Sequence, residues 1–280
     1  MLNVENLETE GKVYLPYPRA LREAMGDAMA RWEAFCALPL ETKLSLGYTP
    51  DESQSGNGYE CKTERGETLD LKENLHFRLS WYETGCQKAR ATGSTAAVEL
   101  IESLQVLPGL IKPSLLEFAR EVERTFNIRE FADDVEASVP NLIIRLLHYF
   151  GDVSPDEVIA KPHIDKGGFT LHLWESAGGV EQLSLDKKTW LPIPVSHEEA
   201  LLFPSSGLQY LLRNKVKALC HRVVATPESA RDGRYSSVGF VDFRGNASYN
   251  KSKYGRLQDR PAGFNYDMPW DEFRKLFDFR

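Results

Sequence analysis

The sequence predicts a mainly β protein with added helices. Its strands are expected to form a double-stranded β-helix (jelly roll), with N-terminal helices packed on one sheet. Two observations lead there. From Asn141 onward the chain breaks into short β-rich runs, divided by turn residues at Gly167-Gly168, Gly178-Gly179, Asp186-Lys187 and Pro204-Ser-Ser-Gly207. Many short strands with regular turns indicate a sandwich or barrel, and a double-sheet roll with a site in its mouth fits best. Before Asn141, apolar residues recur mainly at helical spacing. The 280 residues show no internal repeat, low-complexity tract or linker, so one domain is expected. It divides into a helical part over about 1–135, the jelly-roll core over about 138–245, and a closing segment over 246–280.

In chain order, Pro16 and Pro18 suit a helix entrance, and Leu21, Met25, Met29, Trp32 and Phe35 then share one helical face. Such an aromatic stripe is core. Thr49 to Gly66 is polar and glycine-bearing and reads as a loop, with a substrate lid and an ordinary solvated loop about equally expected. Lys72 to Ser80 reads as a strand. Val98, Ile101 and Leu104 mark one helix, and Leu115, Leu116, Ala119, Val122 and Phe126 another, with Pro108-Gly109 between them. Strands are then expected over Leu142–Tyr149, Thr170–Trp174, Leu201–Phe203, Leu208–Leu212, Val216–Leu219 and Ser237–Phe243. Tyr266 to Phe279 reads as a closing helix with Trp270, Phe273 and Phe277 inward.

Bulk composition excludes several classes. A formal charge of −7 argues against a nucleic-acid or anionic-membrane surface. No stretch approaches a membrane span, and the acidic first residues lack an apolar signal core. Cysteines 36, 61, 86 and 220 form no Cys-x-x-Cys pair, which fits reduced thiols in a cytoplasmic protein. The expected partner is a small molecule, and nothing in the sequence fixes an oligomeric state.

The chemistry concentrates in Lys161-Pro-His-Ile-Asp165 and in what answers it later. On a strand, residues i and i+2 point to one face, so His163 and Asp165 project together. A second histidine, His221, sits in the apolar run Leu219-Cys-His-Arg-Val-Val224. Two histidines and one carboxylate with no fourth protein ligand make the facial triad that holds Fe(II) and leaves coordination positions open. A lone His-x-Asp arises often by chance, and a single buried histidine is more often a core residue. Downstream, Arg234 and Ser236 share a face of the run Gly233–Phe243. His76, His172 and His197 read as structural, His172 having no carboxylate at strand spacing.

Together these residues resemble the non-haem Fe(II), 2-oxoglutarate-dependent dioxygenases, in particular the isopenicillin N synthase-like family. Its pattern of His-x-Asp, a gap of a little over fifty residues, His, then Arg-x-Ser is met by His163, Asp165, His221, Arg234 and Ser236. Gly167-Gly-Phe-Thr-Leu171, Gly178-Gly-Val with Trp190-Leu-Pro-Ile-Pro194, His221-Arg-Val223 and Asp70-Leu-Lys-Glu73 resemble its wording, and the likeness spans roughly residues 30 to 245. The resemblance implies Fe(II) as metal and 2-oxoglutarate and O2 as co-substrates. It also implies oxidative decarboxylation to succinate and CO2, coupled to hydrogen abstraction from a small organic substrate. Hydroxylation, desaturation and ring closure all fit, whereas halogenating relatives have a small residue in place of Asp165.

The resemblance further implies that Arg234 and Ser236 meet the far carboxylate of 2-oxoglutarate. Members often carry Asn-x-Tyr on the preceding strand to contact the co-substrate. Here Tyr149 matches and Leu147 stands where the asparagine would be. The family's tyrosine-bearing turn near the active-site mouth has Gly58-Tyr59 as its nearest match. By strand parity Arg145 faces the same cavity, where it meets either a substrate carboxylate or an internal acid. Val238, Phe240 and Asp242 follow Arg234 and Ser236 on one face, as an apolar wall and a carboxylate for a substrate amine or hydroxyl. For Asp242, an internal pair with Arg145 or Arg244 is the competing expectation. Two other readings stay open: an isopenicillin N synthase-like oxidase that turns Arg-x-Ser on its own substrate without 2-oxoglutarate, and a catalytically silent metal-binding jelly roll.

Overall fold

The computed structural model describes residues 2–49, 56–63, 71–165, 167–196 and 198–242. Short elements α1 (Asn6–Thr9) and β1 (Val13–Pro16) lead into α2 (Arg19–Cys36), which follows Pro18 as expected of a proline-led entrance. Its stripe Leu21, Met25, Met29, Trp32 and Phe35 is buried. Next come α3 (Leu40–Leu44), β2 (Gly58–Lys62) and β3 (Lys72–Phe77), then α4 (Tyr82–Ala91), α5 (Thr95–Leu104), α6 (Leu107–Phe126) and α7 (Phe131–Ser138). Ser94 caps α5 by accepting from the Ala97 N–H, and Asn127 ends α6 in the left-handed conformation. The β-rich half holds β4 (Ile143–Tyr149), β5 (Val158–His163), β6 (Phe169–Glu175), β7 (Val180–Leu183), β8 (Trp190–Pro192), β9 (Glu199–Pro204), α8 (Ser206–Leu211), β10 (His221–Val224), α9 (Pro227–Asp232) and β11 (Arg234–Val241).

The strands form two antiparallel sheets, one ordered β1-β9-β6-β11-β4-β3-β2 and the other β5-β10-β7-β8. This is the expected double-stranded β-helix. Helices cover the outer face of the larger sheet, where Phe118 and Phe131 pack on Phe169 with ring centres 5.0 and 6.3 Å apart. The main core lies in that helix–sheet layer, and a smaller cluster, including Leu147, Ile159, Leu201 and Phe203, lies between the sheets.

Three expectations need correction. Leu208–Leu212 is not a strand: most of it lies in α8, and Val216–Leu219 belongs to no strand. A short apolar run that is buried all round looks the same to periodicity whether it is strand or helix. The segment Thr49–Gly66 is not loop throughout, because it contains β2, and Tyr59 is buried with its hydroxyl donating to Glu73 Oε2 at 2.6 Å. Gly58-Tyr59 therefore belongs to the sheet and not to the cavity mouth. The remainder of the lid expectation (50–55 and 64–66), Asp70, His197, Arg244 and the closing segment lie outside the described residues. Helices α1, α3, α4, α7, α8 and α9 were not anticipated.

Candidate metal centre and its cavity

Pairing of β5 with β10 sets His163 directly opposite His221, with ring centres 4.3 Å apart. His163 ends β5, and Asp165 follows it in the turn toward β6. The first three residues of α8 hold that turn from behind. The N–H groups of Ser206, Gly207 and Leu208 donate to the carbonyls of Asp165, Gly167 and Gly168 at 2.9, 2.8 and 3.0 Å. One ligand atom from each of His163, Asp165 and His221 lies within 4.8 Å of the others.

The surroundings fix which atoms are offered. His163 Nδ1 lies 2.7 Å from the Lys161 carbonyl, and His221 Nδ1 lies 3.2 Å from the Leu219 carbonyl. A carbonyl accepts, so both Nδ1 atoms carry the proton and both Nε2 lone pairs face the common space. Thr170 donates to Asp165 Oδ2 at 2.6 Å, leaving Oδ1 on the side of His163 Nε2, 3.7 Å away. Burial, then the charge of His163, pushes His221 down to about 4, so it is neutral and ready to ligate. Burial raises the Asp165 carboxyl, but His221, His163, Thr170 and Arg145 together hold it below its ordinary range. A nitrogen–oxygen set of this kind, with an open side, fits Fe(II).

The open side is a cavity of about 400 Å³ between the sheets. All the residues singled out from the sequence line it except Asp242: His163, Asp165, His221, Arg234, Ser236, Tyr149, Arg145, Val238 and Phe240. Asp242 lies just past the end of β11, and its Oδ1 sits 2.8 Å from the point a Cβ on Gly167 would take. Parity holds along β11 only as far as the strand runs.

Arg234 is 1% exposed and is held on several sides. Its Nε donates to the carbonyls of Ala177 and Gly178, Nη1 donates to Ser236 Oγ at 3.0 Å, and Nη2 meets Glu175 Oε2 at 2.5 Å. The carbonyls come from a turn in which Gly179 has φ +110°, where an added Cβ would lie 2.1 Å from the Val224 carbonyl oxygen, so only glycine fits. Glu175 also bonds His172 Nε2 at 3.0 Å. Its carboxyl is raised by burial but held below its ordinary value by His172 and Arg234. His172 thus does have a carboxylate partner, contrary to expectation. On β11, Ser237 pairs with Trp174 and Val238 with His172, so Leu173 is an extra residue, a β-bulge. The bulge turns positions 172 and 175 to one side.

Thr170, Glu175, Lys72 and Phe203 were not singled out from the sequence. Thr170 orients Asp165, Glu175 backs Arg234, Lys72 lies 5.3 Å over the Tyr149 ring at the cavity wall, and Phe203 packs 4.8 Å from His221. Thr170 and Lys72 left a signal, in the Gly-Gly-Phe-Thr-Leu and Asp-Leu-Lys-Glu wording.

Residues 140–242 match the model of the 2OG-Fe(II) oxygenase superfamily, and this interval contains the whole triad with Arg234 and Ser236. Over this interval the chain is similar to the 2OG-Fe(II) oxygenase superfamily. A curated relative from Didymella fabae, a 2-oxoglutarate-dependent dioxygenase, is 28% identical over 143 residues. That match covers 49% of this chain and 41% of the relative, so the chain spans about two fifths of the curated protein it matches. In fold it is similar to a full-length Neurospora crassa protein crystallised in complex with alpha-KG: TM-score 0.72, 19% identity, covering 98% of this chain and 89% of that one. A complex of the same Neurospora protein with alpha-KG and thymine gives a TM-score of 0.71 at 19% identity, covering 98% and 88%. The rice dioxygenase for auxin oxidation gives 0.63 at 16% identity, covering 92% and 81%. Among the described residues, no helix is long and apolar enough to cross a membrane.

Proposed function

We propose that the protein is an Fe(II)- and 2-oxoglutarate-dependent oxygenase that oxidises a small organic substrate, by hydroxylation, desaturation or cyclisation. The observation that carries this is the opening of one triad, His163, Asp165 and His221, into a cavity that also presents Arg234 and Ser236. The superfamily's co-substrate and metal, named in its description, are the ones this donor set fits.

The triad side chains would hold Fe(II), which when bound supplies the activation of dioxygen that organic groups lack. For hydroxylation the balance is substrate, 2-oxoglutarate and O2 in, and hydroxylated product, succinate and CO2 out. Arg234 provides a planar fork of donors for the far carboxylate of the co-substrate, and Ser236 Oγ, already 3.0 Å from Nη1, adds a hydroxyl. Glu175 and the two carbonyls keep that guanidinium placed before any ligand arrives. Tyr149 and Leu147 form the neighbouring wall, and Val238, Val180 and Val223 keep the interior apolar, which excludes water from the reacting groups. Thymine in the Neurospora neighbour is a small planar molecule, and a cavity of about 400 Å³ suits a substrate of that order.

The four cysteines are free thiols, which supports a reducing, cytoplasmic setting. The charge of −7 supports a small-molecule partner over nucleic acid. One domain remains our reading of the chain. The test is succinate release from 2-oxoglutarate by the iron-loaded protein. Release that needs both Fe(II) and 2-oxoglutarate is expected. Oxygen consumption independent of 2-oxoglutarate would favour the isopenicillin N synthase-like oxidase, and metal binding with neither activity the silent module.

A further inference from the structure

We propose that Arg145 is the anchor for an anionic group of the substrate, so that the enzyme acts on small organic acids. The inference rests on the oxygenase reading and assigns its substrate class. Arg145 stands on β4 opposite Val238 of β11 and His76 of β3. Its guanidinium carbon lies 4.6 Å over the Phe240 ring, which holds the plane of the group while its edge faces the cavity. The Nε atom is buried and has no hydrogen-bond partner, and among the described residues Arg145 makes no salt bridge. What exposure the side chain keeps is therefore to the cavity it lines.

Neighbouring groups do not form an ion pair with it: Glu60, whose charge reaches Arg145 from a distance, meets Lys62 and Asn74 instead. His76 is buried, and burial, then the charges of Arg145 and Arg78, hold it well below its ordinary pKa, in the neutral form. The carboxylate that Arg145 feels most strongly is Asp165, which belongs to the triad and accepts from Thr170. The internal pair with Asp242 expected from parity is absent as well, since Asp242 lies beside Gly167. A half-buried guanidinium with no counter-ion is costly, and proteins keep such groups where a ligand completes them.

The co-substrate does not complete this one. Arg234 faces Tyr149 across the β11–β4 pairing, whereas Arg145 faces Val238, four residues further on. Four strand residues span about 13 Å. With its far carboxylate at Arg234 and Ser236, a five-carbon diacid turned toward the metal leaves Arg145 unmet. The remaining ligand is the substrate, whose carboxylate would accept from the fork of Arg145 while its hydrocarbon body lies along Val238 and Leu147.

The test uses the full chain loaded with Zn(II), which binds such a site without turnover, and saturating 2-oxoglutarate. Benzoate and hexanoate are titrated against benzamide, the neutral isostere of benzoate, with the melting temperature as readout. Wild type is expected to be stabilised by a carboxylate and not by benzamide. Arg145→Met should lose at least about tenfold in apparent carboxylate affinity, with Arg145→Lys between the two. Arg145→Met should also keep the full 2-oxoglutarate shift and melt no lower than wild type without ligand, because it removes a half-buried charge that has no counter-ion. An unchanged carboxylate response in Arg145→Met, no response in a wild type that binds 2-oxoglutarate, or a marked loss of ligand-free stability in Arg145→Met would each overturn the proposal. No 2-oxoglutarate shift in the wild type would overturn the oxygenase reading instead.

Discussion

Behind the cavity wall, Glu73 of β3 makes the chain sensitive to acid in a way that can be sized. Its carboxylate is 2% exposed and meets Lys43 Nζ at 2.7 Å, the Tyr59 hydroxyl at 2.6 Å and His148 Nδ1 at 2.8 Å. Burial raises the carboxyl, but His148, Lys43 and Tyr59 outweigh it and bring it from 4.5 down to about 2. A folded-state value below the unfolded one means stability that is present above about pH 4.5 and lost as pH falls through about 2. At about 1.4 kcal/mol per pH unit, the interval from 4.5 to about 2 is worth about 3 kcal/mol. Other depressed carboxylates contribute too, so the comparison must be with Glu73→Gln, which keeps the shape and removes the titration. Urea unfolding of both proteins should show wild type more stable by about 3 kcal/mol at pH 7, the gap shrinking steadily below pH 4.5 and nearly closed at pH 2. A gap that stays constant from pH 7 to pH 2 would refute the ion-pair account of this network.

The remaining predictions concern the site. Arg234→Ala should weaken 2-oxoglutarate binding by about 2–5 kcal/mol, about thirtyfold or more, measured calorimetrically on the Zn(II)-loaded protein, because a desolvated carboxylate loses its partner. Glu175→Gln leaves Arg234 its bonds to Ala177, Gly178 and Ser236 but strips its counter-charge. Thermal unfolding should show the ligand-free protein destabilised by about 3–5 kcal/mol, and a larger gain on adding 2-oxoglutarate than wild type shows. With Asp165 as a triad member, product analysis in chloride buffer should show oxygenated, desaturated or cyclised product and no chlorinated one.

How much of this was readable follows from where strand parity survives. Along β11 the alternation of Arg234, Ser236, Val238 and Phe240 reaches the cavity as the sequence implies. One step further the strand has ended, and Asp242 leaves the pattern. Thr170 and His172 share a face with simple spacing, but Glu175 joins His172 only through the bulge at Leu173, which depends on pairing with β11. The carboxylate that backs Arg234 was therefore invisible to a period-two reading. Helix α8, whose N–H groups brace the Asp165 turn, was read as strand because Leu208 and Tyr210 are buried on all sides. Tyr59 matched a family turn in spelling, but its hydroxyl is committed to Glu73, a partner fourteen residues away that only the β2–β3 pairing brings near. The triad itself was legible because its three residues are spaced by the family's own sequence pattern, and β5–β10 pairing then closes it in space.

The central claim is that His163, Asp165 and His221 hold Fe(II) next to a 2-oxoglutarate site. Its most direct test is anaerobic addition of Fe(II) and 2-oxoglutarate, followed by visible absorption. A metal-to-ligand charge-transfer band that needs both components in wild type, and is lost in His163→Ala and His221→Ala, is the predicted result. No band in folded wild-type protein, or an undiminished band in His221→Ala, would contradict it.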